Sequence, residues 1–205
     1  SVTAYDAQAV GSRSLGALDT GSRLEFPALT ALTGTTSQFA TLTVEAGGGG
    51  VVALPQLTQV STPTTRFVAT GTGSSVELPI LSNLVGTDFE ARNGGRVSSP
   101  ALTSLQFTDF IAAGSASRLD TAQITEARGA GIAAQDGARL KFDSLQRYEG
   151  GNGPSTVVTA SGPGSRLEFP TLTEFTGTTS QFSSATLRAS SGGVIALPEL
   201  SSLDS

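Results

Sequence analysis

The chain has 205 residues, 38 % of them hydrophobic, with twelve basic against seventeen acidic side chains and a net charge of −5. It contains no Cys, His, Met or Trp, which excludes thiol nucleophiles, Ser-His triads, zinc fingers, haem and iron–sulfur ligation. No basic run points to nucleic acid, and no apolar stretch approaches the roughly 18 residues of a membrane span.

The sequence repeats at two scales. Residues 21–62 and 164–205 align without a gap at an offset of 143, with 25 identities in 42 positions. They begin GSRLEFPALTALTGTTSQF and GSRLEFPTLTEFTGTTSQF. Inside the blocks runs a shorter phrase, apolar-x-apolar-Pro-x-Leu-Thr-x-apolar, as in LEFPALTAL and VALPQLTQV. Its Pro, or the residue in its place, falls at Pro27, Pro55, Pro79, Pro100, Ala122, Asp143, Pro170 and Pro198. Intervals of 21 to 28 residues are those of one solenoid coil.

In chain order, each coil reads as three short strands. The first carries an apolar-x-Ala pair: Val44/Ala46, Phe67/Ala69, Phe89/Ala91, Ile111/Ala113, Ile132/Ala134, Val158/Ala160 and Leu187/Ala189. A Gly-rich turn follows. The second strand is apolar three residues before the hinge and one before it. The third carries Leu-Thr-x-apolar, and a loop of variable length closes the coil. Period-two alternation in short runs means strands. Gly and Pro recur too often for helices. Pro at the hinge fixes φ for a corner and needs no ladder donor, while the glycines supply positive φ. A column of Ala leaves room for Phe and Leu across a narrow core.

The expectation is an all-β chain: a right-handed parallel β-helix of about eight coils, three short strands per coil, forming a single domain over 1–205. Its period, Gly turns and stacked aliphatic columns resemble the right-handed parallel β-helix modules of secreted bacterial proteins, β-helix carbohydrate-binding modules among them. VALPQLTQV also resembles the irregular leucine-rich repeats of bacterial surface proteins, but their fixed Asn or Cys is missing. The resemblance implies a secreted, extracellular or cell-surface location. It also implies an excerpt of a longer multimodular protein, tethered to a catalytic or anchoring domain. The expected partner is a polysaccharide, xylan or an acidic glycan, with no nucleic acid, membrane, metal or cofactor. A structural or adhesive segment is the alternative, and a polysaccharide lyase or hydrolase the third reading.

Two outward rows flank the hinge. Four residues before it stand Arg96, Arg118, Arg139 and Arg166 on consecutive coils. Two before it stand Asp120, Lys141 and Glu168 on coils five to seven. Like charges stacked at ~4.8 Å repel, so the Arg row suggests either acidic neighbours or an anionic or hydroxylated ligand. With Tyr148, these seven residues are the expected ligand-binding set; Tyr148 also shares a column with Leu84, Leu105 and Phe175 and reads equally as core. A third row, Thr30, Thr58, Thr103, Thr125 and Thr173 among others, reads as ladder hydroxyls. Asp120, Asp136, Asp143, Arg118, Arg139 and Lys141 are the residues an enzyme reading would use, but no close carboxylate pair repeats on one strand face.

Overall fold

A computed structural model describes residues 2–7, 11–34, 40–61, 65–153, 155–178 and 183–204. Among them there is no helix, and every strand pairing is parallel. The chain winds as a parallel β-helix of about eight coils with strands on three faces. One face is a continuous eight-stranded sheet running from Arg13–Leu18 through Thr65–Thr70, Thr87–Arg92 and Asp109–Ala113 to Ala185–Ser190. The second face, holding the strands that end at the hinges, is split into five strands and three. The third is split into three and six. A leucine-rich repeat, with its strands on one face, is not what these residues build.

The core is made of stacked columns. Leu29, Leu57, Leu81, Leu102, Ile124, Leu145 and Leu172 are all buried, as are Val52, Val76, Val97, Leu119, Leu140 and Leu167. Phe67, Phe89 and Phe110 line up along the first face, the first pair edge to face at 5.3 Å between ring centroids and the second stacked at 5.7 Å. Phe142 and Phe169 stack at 5.1 Å on the second. Seven of the eight hinges close a hydrogen-bonded β-turn: the Leu29 N–H donates to the Phe26 carbonyl at 3.2 Å, and Leu57, Leu81, Leu102, Ile124, Leu172 and Leu200 repeat the bond in their own coils. Pro at the second position of such a turn needs no N–H.

One column differs from expectation. Ala91 pairs with Ala112 and Ala112 with Ala134, while Phe110 continues the Phe89 column. Ala113 instead lies level with Arg92 and Gln135, so the pair in this coil is Phe110/Ala112 and not Ile111/Ala113. The reason is the length of the turn that follows. From column Ala to hinge the count runs 10, 9, 10, 9, 10, 9, 10, 9 over eight coils, from Ala17 to Pro27 through to Ala189 to Pro198. The sequence alignment took the fifth coil as short when it is long.

Two turn chemistries alternate accordingly. In the short coils the central residues are Gly48–Gly49, Asn93–Gly94, Asp136–Gly137 and Ser191–Gly192, all with positive φ. These are type I′ turns, for which Asn-Gly and Asp-Gly are the favoured pairs. In three of the long coils a buried Ser stitches two coils together. Ser74, Ser117 and Ser165 donate to the strand carbonyls of Thr70, Ala113 and Ser161 at 2.7, 2.5 and 2.6 Å. They accept the N–H of Gly49, Gly94 and Gly137 from the preceding coil at 3.0, 3.1 and 2.9 Å. The solenoid therefore has a two-coil repeat.

The Thr row is a backbone ladder. Thr58, Thr103, Thr125, Thr173 and Ser201 each donate to the carbonyl at the matching position of the preceding coil, at 3.1 to 3.3 Å. The repeated GTTSQF segments lie largely outside the described residues.

Candidate functional site

The hinge face carries the expected charged row. Arg96 is in register with Arg118, and Arg139 with Arg166. Between these two pairs the ladder is broken, because Arg118–Leu119 and Arg139–Lys141 belong to different sheets. Elsewhere on this face the first residue of the second strand donates its N–H to the last turn residue of the preceding coil, as Arg96 does to Ser74, Arg118 to Gly95 and Arg166 to Ala138. Arg139 makes no such bond to Ser117. The Ser117 carbonyl is taken instead by the Arg118 guanidinium at 2.8 Å, which also donates to Ser115 at 3.0 Å.

A single methyl group accounts for the gap. The residue ending each short turn is Gly50, Gly95, Ala138 or Gly193. A Cβ on Gly50, Gly95 or Gly193 would lie 2.2 to 2.3 Å from a carbonyl oxygen of the preceding coil, far inside contact distance. Ala138 carries that Cβ, so coils five and six part on this side. Two polar residues in the otherwise apolar column before the hinge widen the change. At regular coils the N–H before the hinge donates to the next coil's backbone, as Leu78 does to Ser98 at 2.8 Å. Ser99 donates instead to the Asp120 carboxylate at 2.9 Å, and Thr121 uses its hydroxyl on the Lys141 carbonyl at 2.5 Å.

The result is a groove of about 500 Å³ lined by Arg96, Asp120, Gln123, Arg139, Lys141 and Asp143, among others. A smaller depression of about 290 Å³ extends it past Arg96 toward Arg23 and Glu25, and another of about 400 Å³ lies between Arg166 and Pro198. Asp120 gathers three donors: Arg96 at 3.3 Å, the Ser98 hydroxyl at 3.0 Å and the Ser99 amide. Lys141 pairs with Asp143 at 2.6 Å, and that partner holds its ammonium pKa above the ordinary value. Arg166 pairs with Glu168 on its own strand. The Arg139 side chain has no ion pair or hydrogen bond among the described residues. The Ser99 hydroxyl, on the groove wall, is buried without a partner among them.

Six of the seven charged residues expected from the sequence therefore share this face with ordinary ion pairs or turn contacts, and Arg139 alone is uncommitted. Tyr148 is not on the face. Its side chain is 1 % exposed and stacked on Phe175 at 4.5 Å. Its hydroxyl donates to the Ala130 carbonyl at 2.6 Å and lies 3.2 Å from the Thr156 hydroxyl. Burial pushes its pKa up to about 12, so the ring is core and stays neutral. Of the carboxylates of the enzyme reading, Asp136 occupies a type I′ turn and Asp143 the hinge, while Asp120 and Asp143 line the groove. Gln123 was not expected in the groove; its only signal was its place just after a hinge that lacks Pro.

Two charge networks were not foreseen. On the first face the nearly buried Glu90 receives Arg66 and Arg92, the latter at 2.9 Å. Burial raises its pKa, but the two guanidinium groups outweigh that and leave it below the ordinary value. On the third face Arg147 bridges Glu149 and Glu174, both at 3.2 Å. Each network joins a same-strand pair to one cross-coil pair, Arg66–Glu90 and Arg147–Glu174, and those two depend on the register. Compared with family models, curated proteins and solved structures, the chain matched none.

Proposed function

We propose that the chain is a non-catalytic carbohydrate-binding module that holds an extended polysaccharide along the hinge face. The observation that supports this reading is the groove opened beside Ala138, continued by shallow depressions on the same face. A row of depressions along a rod suits a long polymer better than a small molecule. Forked Arg donors and carboxylates can exchange hydrogen bonds with hydroxyls, and the uncommitted Arg139 favours a glycan that carries carboxylates or an acidic substituent, such as a substituted xylan. Each coil would contribute little, with affinity gained over several. Fold-level analogy to polysaccharide-binding β-helices adds to the prior only.

Affinity electrophoresis against neutral and acidic plant and microbial glycans tests this. Retardation by an acidic glycan is expected, weakening at high salt as charges are screened. Replacing Arg118 and Arg139 together by Ala should abolish most of the retardation while circular dichroism stays unchanged. Retardation by no glycan would favour a structural or adhesive segment, the reading that the satisfied ion pairs of Arg96, Lys141 and Arg166 also fit.

A further inference from the structure

From Gly86 to Gly177, the corner that follows the third strand is glycine in four of five consecutive coils. At this corner Gly86, Phe107, Gly129, Gly150 and Gly177 each donate an N–H to the next coil, from 2.7 to 2.9 Å. Gly86, Phe107 and Gly129 do so with φ of 62°, 50° and 57°. Phe107 is thus the one side chain in a run of glycines. Left-handed backbone is costly for a bulky residue. The ring is covered only in part in return, since Phe107 is 40 % exposed. Full burial does not offset the backbone strain here.

The surroundings hold the ring in place. A Cβ on Gly129 would come within 2.6 Å of it, and one on Gly151 or Gly153 within about 3.1 Å. The ring lies against this bed of glycines and borders a cavity of about 560 Å³ lined by Gly86, Asp88, Asp109, Ser155 and Thr156 among others. Most of the cavity surface is apolar, and its polar edge carries acceptors. Asp88 spends one oxygen on the Asp109 amide at 3.0 Å and has Arg66 at 3.9 Å. The Asp109 carboxylate has no donor among the described residues.

We infer that the Phe107 cavity is a second ligand site, taking one ring of a neutral sugar. A pyranose presents an apolar C–H face that stacks on an aromatic ring, and its edge hydroxyls are donors that fit the Asp88 and Asp109 carboxylates. The same carboxylates repel uronic acids, so this site selects against the acidic glycans favoured on the hinge face. It does not rest on the hinge-face reading: the surface, the ligand charge and the residues all differ.

The test is a titration of nitrogen-15-labelled protein with neutral hexaoses of glucose, mannose and xylose, and with oligogalacturonate as the anionic control. At least one neutral sugar should move the amide signals of Gly129, Gly151 and Gly153, with no effect of salt. Phe107→Gly places the neighbours' residue at this corner, so it should melt no lower than the parent while losing about tenfold or more in affinity for that sugar. Replacing Arg118 and Arg139 should leave these signals unchanged. The inference is overturned if no neutral sugar moves the three glycines, if only the uronate does, if Phe107→Gly binds unchanged, or if that variant melts lower and so shows the ring to be structural.

Discussion

Two consecutive alanines show how sharply a solenoid reads its register. Ala112 is fully buried between Ala91 and Ala134 in the column that faces the aromatic stack. Ala113 is level with Arg92 and Gln135, whose side chains are only partly buried. In a close-packed interior, extra methylenes force off-rotamer side chains and backbone shifts. Ala112→Leu should therefore destabilise by about 1–3 kcal/mol. Ala113 is 5 % exposed but lies off the column, level with partly buried side chains, so Ala113→Leu should cost less than Ala112→Leu. Urea melts of the two variants compare them directly, and an equal loss would mean the column assignment is wrong. The sequence columns placed Ala113 inside because the hinge was used as the ruler and the turn between was assumed constant. A serine in the last place of the turn, as in Ser74, Ser117 and Ser165, marks the longer type, so the missing residue was legible in GSAS beside GTGS and GPGS.

At the scale of strands and turns, one corner position governs whether neighbouring coils meet on the hinge face. Gly50, Gly95 and Gly193 bring the next strand against a carbonyl at a distance no Cβ would allow; Ala138 keeps it away. Ala138→Gly should let Arg139–Lys141 pair with Arg118–Leu119 and give the Arg139 amide an acceptor in Ser117. The measurement is hydrogen exchange at that amide, which should slow in Ala138→Gly, with weaker retention by any glycan that fills the groove. In Gly95→Ala the opposite is expected at the preceding short turn: faster exchange at Arg96 and a loss of about 1–3 kcal/mol. Unchanged exchange at Arg139 in Ala138→Gly would assign the gap to Ser99 and Thr121 alone. The charged row was visible in the sequence because spacing from the hinge fixes which way each residue points. The groove was not, since it arises from backbone separation between coils. Its traces were small ones: Ala for Gly, Ser99 and Thr121 in an apolar column, and Ala122 in place of Pro.

Over the whole molecule, each coil touches only the next, so stability is close to a sum over neighbouring pairs. The three faces do not contribute alike. Only the first sheet runs unbroken from Arg13–Leu18 to Ala185–Ser190; the second parts between coils five and six, and the third after Gln59–Ser61. The first sheet also carries the Phe67, Phe89 and Phe110 stack and the Glu90 pairings. Together with the third face, where Glu126–Arg128 pairs with Arg147–Glu149, it keeps the hinge-face gap from dividing the rod. Burial falls away in the eighth coil, where Leu187, Ile195, Leu197 and Leu200 are only partly covered and Leu203 is 64 % exposed. Local opening free energies range from near zero to the full unfolding value and follow buried apolar packing. Native-state hydrogen exchange on this chain should therefore be slowest along Thr87–Arg92, Asp109–Ala113 and Gly131–Gln135. It should quicken through the hinge-face strands of coils five and six, and be fastest in Ala185–Ser190 and Ser202–Asp204. A glycan seated in the groove would bridge coils four to six and slow exchange there most, because binding stabilises only the closed form it recognises. Uniform protection over all coils would instead show that the rod opens as one unit, and the nearest-neighbour account of its stability would fail.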